Sequence, residues 1–288
     1  MSDTPTFLMT DESHFEVSYK INPWMTPDEW RKDEAKNRIE AREASASLSA
    51  ALKEAGARVI TMDGAPGLPD MVFPANAAVV LNGRALAARF RYPERQGEER
   101  HFLKAFAELE DEGHFIEVAQ QPKGIFQEGA GDCLWDATRQ MFWAAFGPRS
   151  SYEALASLKD FFGEAIQGLE LVSGRFYHLD TCFVPLSGGE VLYYPPAFSK
   201  LSLSAIRDHV PADLRIEASD EDAARFAVNA VNIGRKIVMA EPTAALASEL
   251  QERGYSVSPV KLRPFIMSGG GAYCMTLRLD LNTASANC

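Results

Sequence analysis

Apolar and polar positions along the chain alternate between two periods, a helical one and a strand-like one, and the alternation recurs five times. Each unit predicts a helix ending at a glycine or polar turn, then a short strand, then a hairpin-like pair of apolar runs. The first unit places a helix over Glu29 to Glu54, with Trp30, Ile39, Leu48 and Leu52 on its apolar face, Gly56 as its C-terminal cap and Arg58 to Met62 as the strand. The second has a helix over Glu98 to Leu109 and a strand over His114 to Ala119. The third pairs Tyr152 to Ile166 with Leu169 to Val172, and the fourth pairs Ser202 to His209 with Leu214 to Ala218. The fifth runs from Pro242, a favourable first helical residue, to Arg253, followed by Tyr255 to Val260.

The hairpin candidates are Met71–Val80 with Leu86–Phe90, Asp132–Trp135 with Met141–Phe146, Tyr177–Val184 with Val191–Tyr194, and Phe226–Ile233 with Lys236–Met239. A final apolar run, Tyr273–Leu279, has no later partner, and Phe7–Met9 at the start of the chain could supply one and close a ring. Repetition of this length indicates a solenoid, a propeller or a barrel-like ring. A doubly wound parallel sheet is the competing arrangement. Hairpins outnumber lone strands, and the glycine run Ser268-Gly269-Gly270-Gly271 leads into an apolar strand rather than a helix, which argues against a phosphate cradle. With no composition break to mark a linker, a single domain over 1–288 is expected.

Composition changes little in this picture. Hydrophobic residues are 46% of the 288 and charged residues 24%, ordinary for a globular chain. The net charge of −11 disfavours a nucleic-acid surface, which needs clustered basic residues. No apolar run approaches the roughly 18 residues needed to span a membrane, and Met1 to Thr10 lacks the pattern of a secretory signal. The expectation is therefore a cytoplasmic protein with neither a nucleic-acid nor a membrane partner, in which Cys133, Cys182, Cys274 and Cys288 are reduced thiols.

Candidate chemistry collects in the hairpins. His178 and Asp180 lie two apart in Phe176-Tyr177-His178-Leu179-Asp180-Thr181, a spacing that points both side chains to one face of a strand. An imidazole moves protons near neutral pH, and a carboxylate beside it can bind a cation. Glu128 and Asp132 flank the small residues of Gly129-Ala130-Gly131, where a ligand could approach the backbone. Asp70 and Asn76, six apart, would also share a face of one apolar strand. Cys274 follows the glycine run. Hairpins lining a common axis would gather these groups into one pocket, and spacing alone goes no further.

Taken together, PDMVFPANA (69–77), ERQGEE (94–99), EGAGD (128–132), FYHLDTCF (176–183) and GGGAYCMTLRL (269–279) resemble the guanidino-group-modifying superfamily. That resemblance implies an α+β fold, the five-bladed αβ-propeller called the pentein fold. Its members include arginine deiminases, dimethylarginine dimethylaminohydrolases, amidinotransferases and arginine dihydrolases. The N-terminal pattern Tyr19-Lys20-Ile21-Asn22-Pro23-Trp24-Met25, and asparagine at Asn76, are most similar to the arginine dihydrolases. Pro74 and Ala78 depart from the threonine and glycine usual beside that asparagine. The cyclodeaminase region that follows the catalytic part of some dihydrolases is not seen, so proline synthesis is not expected.

By that resemblance Cys274 attacks the guanidinium carbon as a thiolate, His178 protonates the departing amine and later activates water, and Glu128 holds the imidazole or polarises the guanidinium. Asp180 would pair with the planar cation, Asn22 and Asn76 would contact the reacting end, Arg95 would bind the substrate carboxylate, and Asp70 is a further contact. Carboxylates match the guanidinium fork, and a nearby cation favours the thiolate. No metal or organic cofactor is implied. Arginine or a close derivative is the implied partner, with self-association into a homo-oligomer a further expectation. The alternatives are a one-step deiminase or dimethylarginine hydrolase, an amidinotransferase, and a silent binding protein for cationic amino acids.

Overall fold

The computed structural model describes residues 4–283. Its strands form five three-stranded sheets, and each sheet is an antiparallel pair with a third strand added in parallel. In chain order β1 (Thr6–Thr10) pairs in parallel with β2 (Arg58–Met62), and β3 (Ala78–Leu81), β4 (Arg84–Ala87) and β5 (Glu117–Gln120) form the next sheet. The third holds β6 (Cys133–Asp136), β7 (Met141–Phe146) and β8 (Ala165–Glu170), and the fourth β9 (Phe183–Pro185), β10 (Val191–Tyr193) and β11 (Arg215–Glu217). The fifth is β12 (Val231–Ile233), β13 (Lys236–Ala240) and β14 (Ser256–Val260). The last strand, β15 (Leu277–Arg278), returns to β1, with Leu8 opposite Leu277 and Phe7 opposite Arg278, so the two ends of the chain complete the first sheet. The expected partnership of Phe7–Met9 with the final apolar run is thus present.

Each parallel step needs a crossover, and in every sheet a helix supplies it. These helices are Glu34–Glu54, Glu99–Asp111, Ala154–Phe162, Lys200–His209 and Ala244–Glu252. Their apolar faces cover the sheets: Leu48 and Leu52 of the first, Phe102 and Phe106 of the second, and Leu246 and Leu250 of the fifth are buried. The expected helix over Glu29 to Glu54 is two helices, Pro27–Lys32 and Glu34–Glu54, because Asp33 leaves helical geometry at φ −147°. Ile39, expected on the apolar face, is 60% exposed and points away from the core.

The largest departures from expectation lie where strands were expected to begin. Met71–Val80 is not one strand but two 3-10 turns, Pro69–Val72 and Pro74–Ala77, leading into β3. Proline fixes φ near −65° and donates no hydrogen bond, so Pro69 and Pro74 each open a turn instead of joining a ladder. Similar turns, Gly129–Gly131 and Leu179–Thr181, precede β6 and β9. The turns Pro74–Ala77 and Leu179–Thr181 each pack against Gly129–Gly131 where the sheets converge. Tyr273–Leu279 likewise contributes only Leu277–Arg278 to the ladder, because the amides of Met275 and Thr276 bond back to Gly271 and Tyr273.

Candidate active site

The polar groups singled out in the sequence sit just ahead of a strand that enters an antiparallel pair. Asn76 precedes β3, Glu128 and Asp132 precede β6, His178 and Asp180 precede β9, and Cys274 precedes β15. All six are buried, between 0% and 2% exposed, at a depth where an ion or amide must find partners.

His178 and Asp180 do not share the face of a strand. His178 is the extended residue before the turn Leu179–Thr181 and Asp180 lies within it, so the two side chains diverge to separate partners. His178 Nε2 lies 2.7 Å from Glu128 Oε2, and its Nδ1 faces Asn76 Nδ2 at 3.5 Å. Arg95 fixes the orientation of that amide by donating from Nη1 to Asn76 Oδ1 at 2.7 Å. The amide donor therefore faces Nδ1, which assigns Nδ1 as the lone-pair nitrogen and Nε2–H as the donor to Glu128. Gly131 permits this approach: a Cβ there would stand 2.2 Å from Asn76 Nδ2. Gly129, at φ +61°, would collide with the backbone of Ala75 and Asn76 if it carried one.

Glu128 also accepts from Arg149 Nη1 at 2.9 Å and from the Arg91 amide at 3.1 Å. Burial pushes its carboxyl up, but the Arg149 and His178 partners outweigh burial and hold it well below the usual carboxylate range. Asp132 ties two segments together, accepting from Ser150 Oγ at 2.6 Å and from the Leu179 amide at 3.0 Å. Burial lifts its pKa to about 6 against those partners.

The nucleophile candidate stands on the other side. Cys274 Sγ lies 3.1 Å from Asp180 Oδ2 and 3.1 Å from Asn229 Nδ2. Burial, and next the Asp180 charge, push the thiol well above its ordinary pKa. Asp180 is itself raised to about 7 by burial, despite its bond from Cys274. Its second oxygen, Oδ1, is buried with no hydrogen-bond partner among the described residues. The N–H groups of Asn229 and Thr181 lower the Asp180 carboxyl, but neither meets hydrogen-bond geometry with that oxygen, which lies beside a thiol. Among the described residues no hydrogen bond joins Cys274 to His178, and no group of three or more ligating side chains could hold a metal ion.

The remaining expected contacts form a support around this core. Arg95 is 2% exposed, donates to both oxygens of Glu98 at 2.9 and 2.8 Å, and bonds the Asp70 carbonyl at 3.0 Å. Its immediate partners are thus protein groups. Burial lifts the pKa of Glu98 to about 7, even beside Arg95. Asp70 accepts from Ser268 Oγ at 3.1 Å. Asn22 donates to the Ser268 carbonyl at 2.9 Å and caps the amides of Trp24 and Met25, so the structure brings it to the glycine run rather than to the thiol.

Three site residues were not singled out in the sequence. Arg149, in a turn after β7, lies between the rings of Tyr92 and Tyr177 at 4.7 and 4.6 Å and pairs with Glu128. Glu98 lies in the ERQGEE stretch that carried the resemblance, with only Arg95 given a role there, and Asn229 sits in a segment with no distinctive spacing. The position just before β12, equivalent to that of Asn76 before β3, was the available clue to Asn229.

Residues 15–281 match the model of the family described as N,N dimethylarginine dimethylhydrolase, eukaryotic. The chain belongs to this family. Among its guanidino-modifying pentein relatives is the bifunctional arginine dihydrolase/ornithine cyclodeaminase ArgZ of Synechocystis sp., 39% identical over 279 residues, covering 97% of this chain and 38% of ArgZ. The chain therefore spans little more than a third of that bifunctional protein. Another relative, the N(G),N(G)-dimethylarginine dimethylaminohydrolase of Mycobacterium tuberculosis, is 32% identical, covering 96% of this chain and 86% of its own length. The solved N-terminal domain of ArgZ, a cysteine-to-serine variant bound to substrate, superposes with a TM-score of 0.89 at 37% identity, covering 97% of this chain and 99% of that domain. Another variant of the same domain was solved covalently bound to a reaction intermediate. The five-sheet ring is thus the pentein fold.

Proposed function

We propose that this pentein hydrolyses the guanidinium group of free arginine through a covalent bond to Cys274, as an arginine dihydrolase whose single catalytic domain extends over 1–288. One observation carries the reading. Buried Asp180 holds the Cys274 thiol with one oxygen and leaves the other without a donor, and a planar guanidinium supplies both the missing N–H and the missing positive charge. A cation seated there also offsets the burial that keeps the thiol protonated, so substrate binding and thiolate formation favour each other.

In this reading the thiol gives up its proton to His178 as the cation seats, the sulfur attacks the guanidinium carbon, and an amine leaves as ammonia carrying that proton. His178 then takes a proton from water, which attacks the thiouronium carbon and releases citrulline and the thiol. A second round converts citrulline to ornithine, carbon dioxide and ammonia. Glu128 holds the imidazole, Asn76 contacts the reacting end, and Asn22 and Asp70 contact substrate from the Ser268–Gly269 side. The substrate carboxylate is drawn to the buried guanidinium groups Arg95 and Arg149. The ArgZ domain bound to substrate and to an intermediate supports this reading.

Incubating the protein with arginine and quantifying products is the test. Ornithine with two equivalents of ammonia is expected, and citrulline accumulating as the sole product would sink the dihydrolase reading. The match to the dimethylarginine family makes one-step hydrolysis of methylated arginine the second reading, and dimethylamine release from dimethylarginine is its signature.

A further inference from the structure

Asn229 is fully buried and spends both ends of its carboxamide around the nucleophile. Oδ1 accepts from the amides of Tyr273 at 3.0 Å and Cys274 at 3.2 Å. Nδ2 donates to the Asp180 carbonyl at 3.0 Å and to Cys274 Sγ at 3.1 Å. The two backbone donors leave no freedom in which way the amide points, because a flip would set its NH2 against two N–H groups and its oxygen against a carbonyl. The group facing sulfur is therefore a donor. With a donor fixed on one side and the Asp180 carboxylate on the other, the thiol proton must point at Asp180, and a lone pair of sulfur is permanently engaged by Asn229.

We propose that Asn229 is a positioning residue of the nucleophile, one that holds Cys274 by its backbone and stabilises sulfur as thiolate by hydrogen bonding through Nδ2. Its place in the ring supports this: Asn229 and Asn76 each stand two residues before the first strand of a hairpin, one amide facing the thiol and the other the imidazole. A hydrogen bond to the charged form lowers a pKa, so Asn229 offsets part of what burial and Asp180 do to the thiol. The inference rests on Cys274 being the reactive thiol, and its test does not require turnover.

The rate of iodoacetamide alkylation at Cys274, followed by peptide mass spectrometry across pH, reads the thiolate directly. Asn229→Asp keeps the acceptor for the two backbone amides and replaces the donor with an acceptor. Its alkylation at pH 8 should fall about tenfold or more, with the midpoint moved up by one unit or more. Wild-type rates and an unmoved midpoint in a folded Asn229→Asp protein would overturn the proposal. If that variant fails to fold, the wild-type protein decides: with asparagine labelled by 15N, the Asn229 side-chain resonances should shift with the Cys274 alkylation midpoint, and resonances indifferent to it overturn the proposal. A shifted alkylation midpoint with no turnover of any guanidino substrate by the wild type would instead sink the functional reading and leave this one standing.

Discussion

At the scale of residues the site divides into two hydrogen-bonded halves, an imidazole held by Glu128 and a thiol held by Asp180 and Asn229. Replacing Cys274 with serine should abolish turnover while leaving the thermal midpoint within a few degrees; retained activity would rule out covalent catalysis. Cys133→Ser and Cys182→Ser should retain most activity. Cys182 Sγ lies 3.5 Å from the Leu179 carbonyl, which a serine hydroxyl can also reach, so that variant should stay mild despite its nearness to His178. Asp180, with its pKa about 7 in the free protein, must be ionised to receive a guanidinium. The value of kcat/KM should therefore fall about tenfold per pH unit below pH 7. A flat profile down to pH 5 would remove Asp180 from cation recognition. Of these residues, His178, Asp180, Glu128 and Cys274 were visible in the sequence through their company. Arg149 was not, because an isolated arginine in a Gly-Pro-Arg-Ser turn reads as solvated until the fold places Tyr92, Tyr177 and Glu128 around it.

At the scale of elements the hairpins were legible and the turns before them were not. β7 lies where its apolar run predicted, Met141–Phe146, because a buried central strand is apolar on both faces. The run Met71–Val80 looks the same by hydropathy, and only Pro69 and Pro74 distinguish two turns from a strand. The face-sharing argument for Asp70 with Asn76, and for His178 with Asp180, failed for one reason: side chains close to the axis are carried on tight turns, where alternation does not hold. The short pairing of β15 with β1 positions the segment that carries the thiol. Leu277, 1% exposed and opposite Leu8, should cost about 2–5 kcal/mol when cut to alanine. Denaturant midpoints would measure this, and a loss below about 1 kcal/mol would show the closing strand to be dispensable.

At the scale of the molecule, the ring encloses more buried carboxylates than it neutralises. Asp132 at about 6, and Asp180 and Glu98 at about 7, have pKa values raised above those of the unfolded chain. In that window the folded state binds more protons than the unfolded one, so these groups contribute stability that is present below about pH 4 and lost as pH rises through 6 to 7. Glu128, held low, acts oppositely, and its contribution is lost as pH falls below the ordinary carboxylate range. The thermal midpoint should therefore decline between pH 5 and pH 8, and Asp180→Asn should flatten that decline. A wild-type midpoint that rises over this range would contradict the burial argument.

The return of β15 to β1 also sets a schedule for synthesis. A ribosome releases Leu277–Arg278 more than 260 residues after Thr6–Thr10, so the first sheet waits through all of that intervening synthesis for its edge. Cys274 emerges only three residues before that edge. The thiol thus reaches Asp180 and Asn229 only as the ring shuts, and a nascent chain stalled before that point carries the imidazole and its carboxylates but no nucleophile for them to serve.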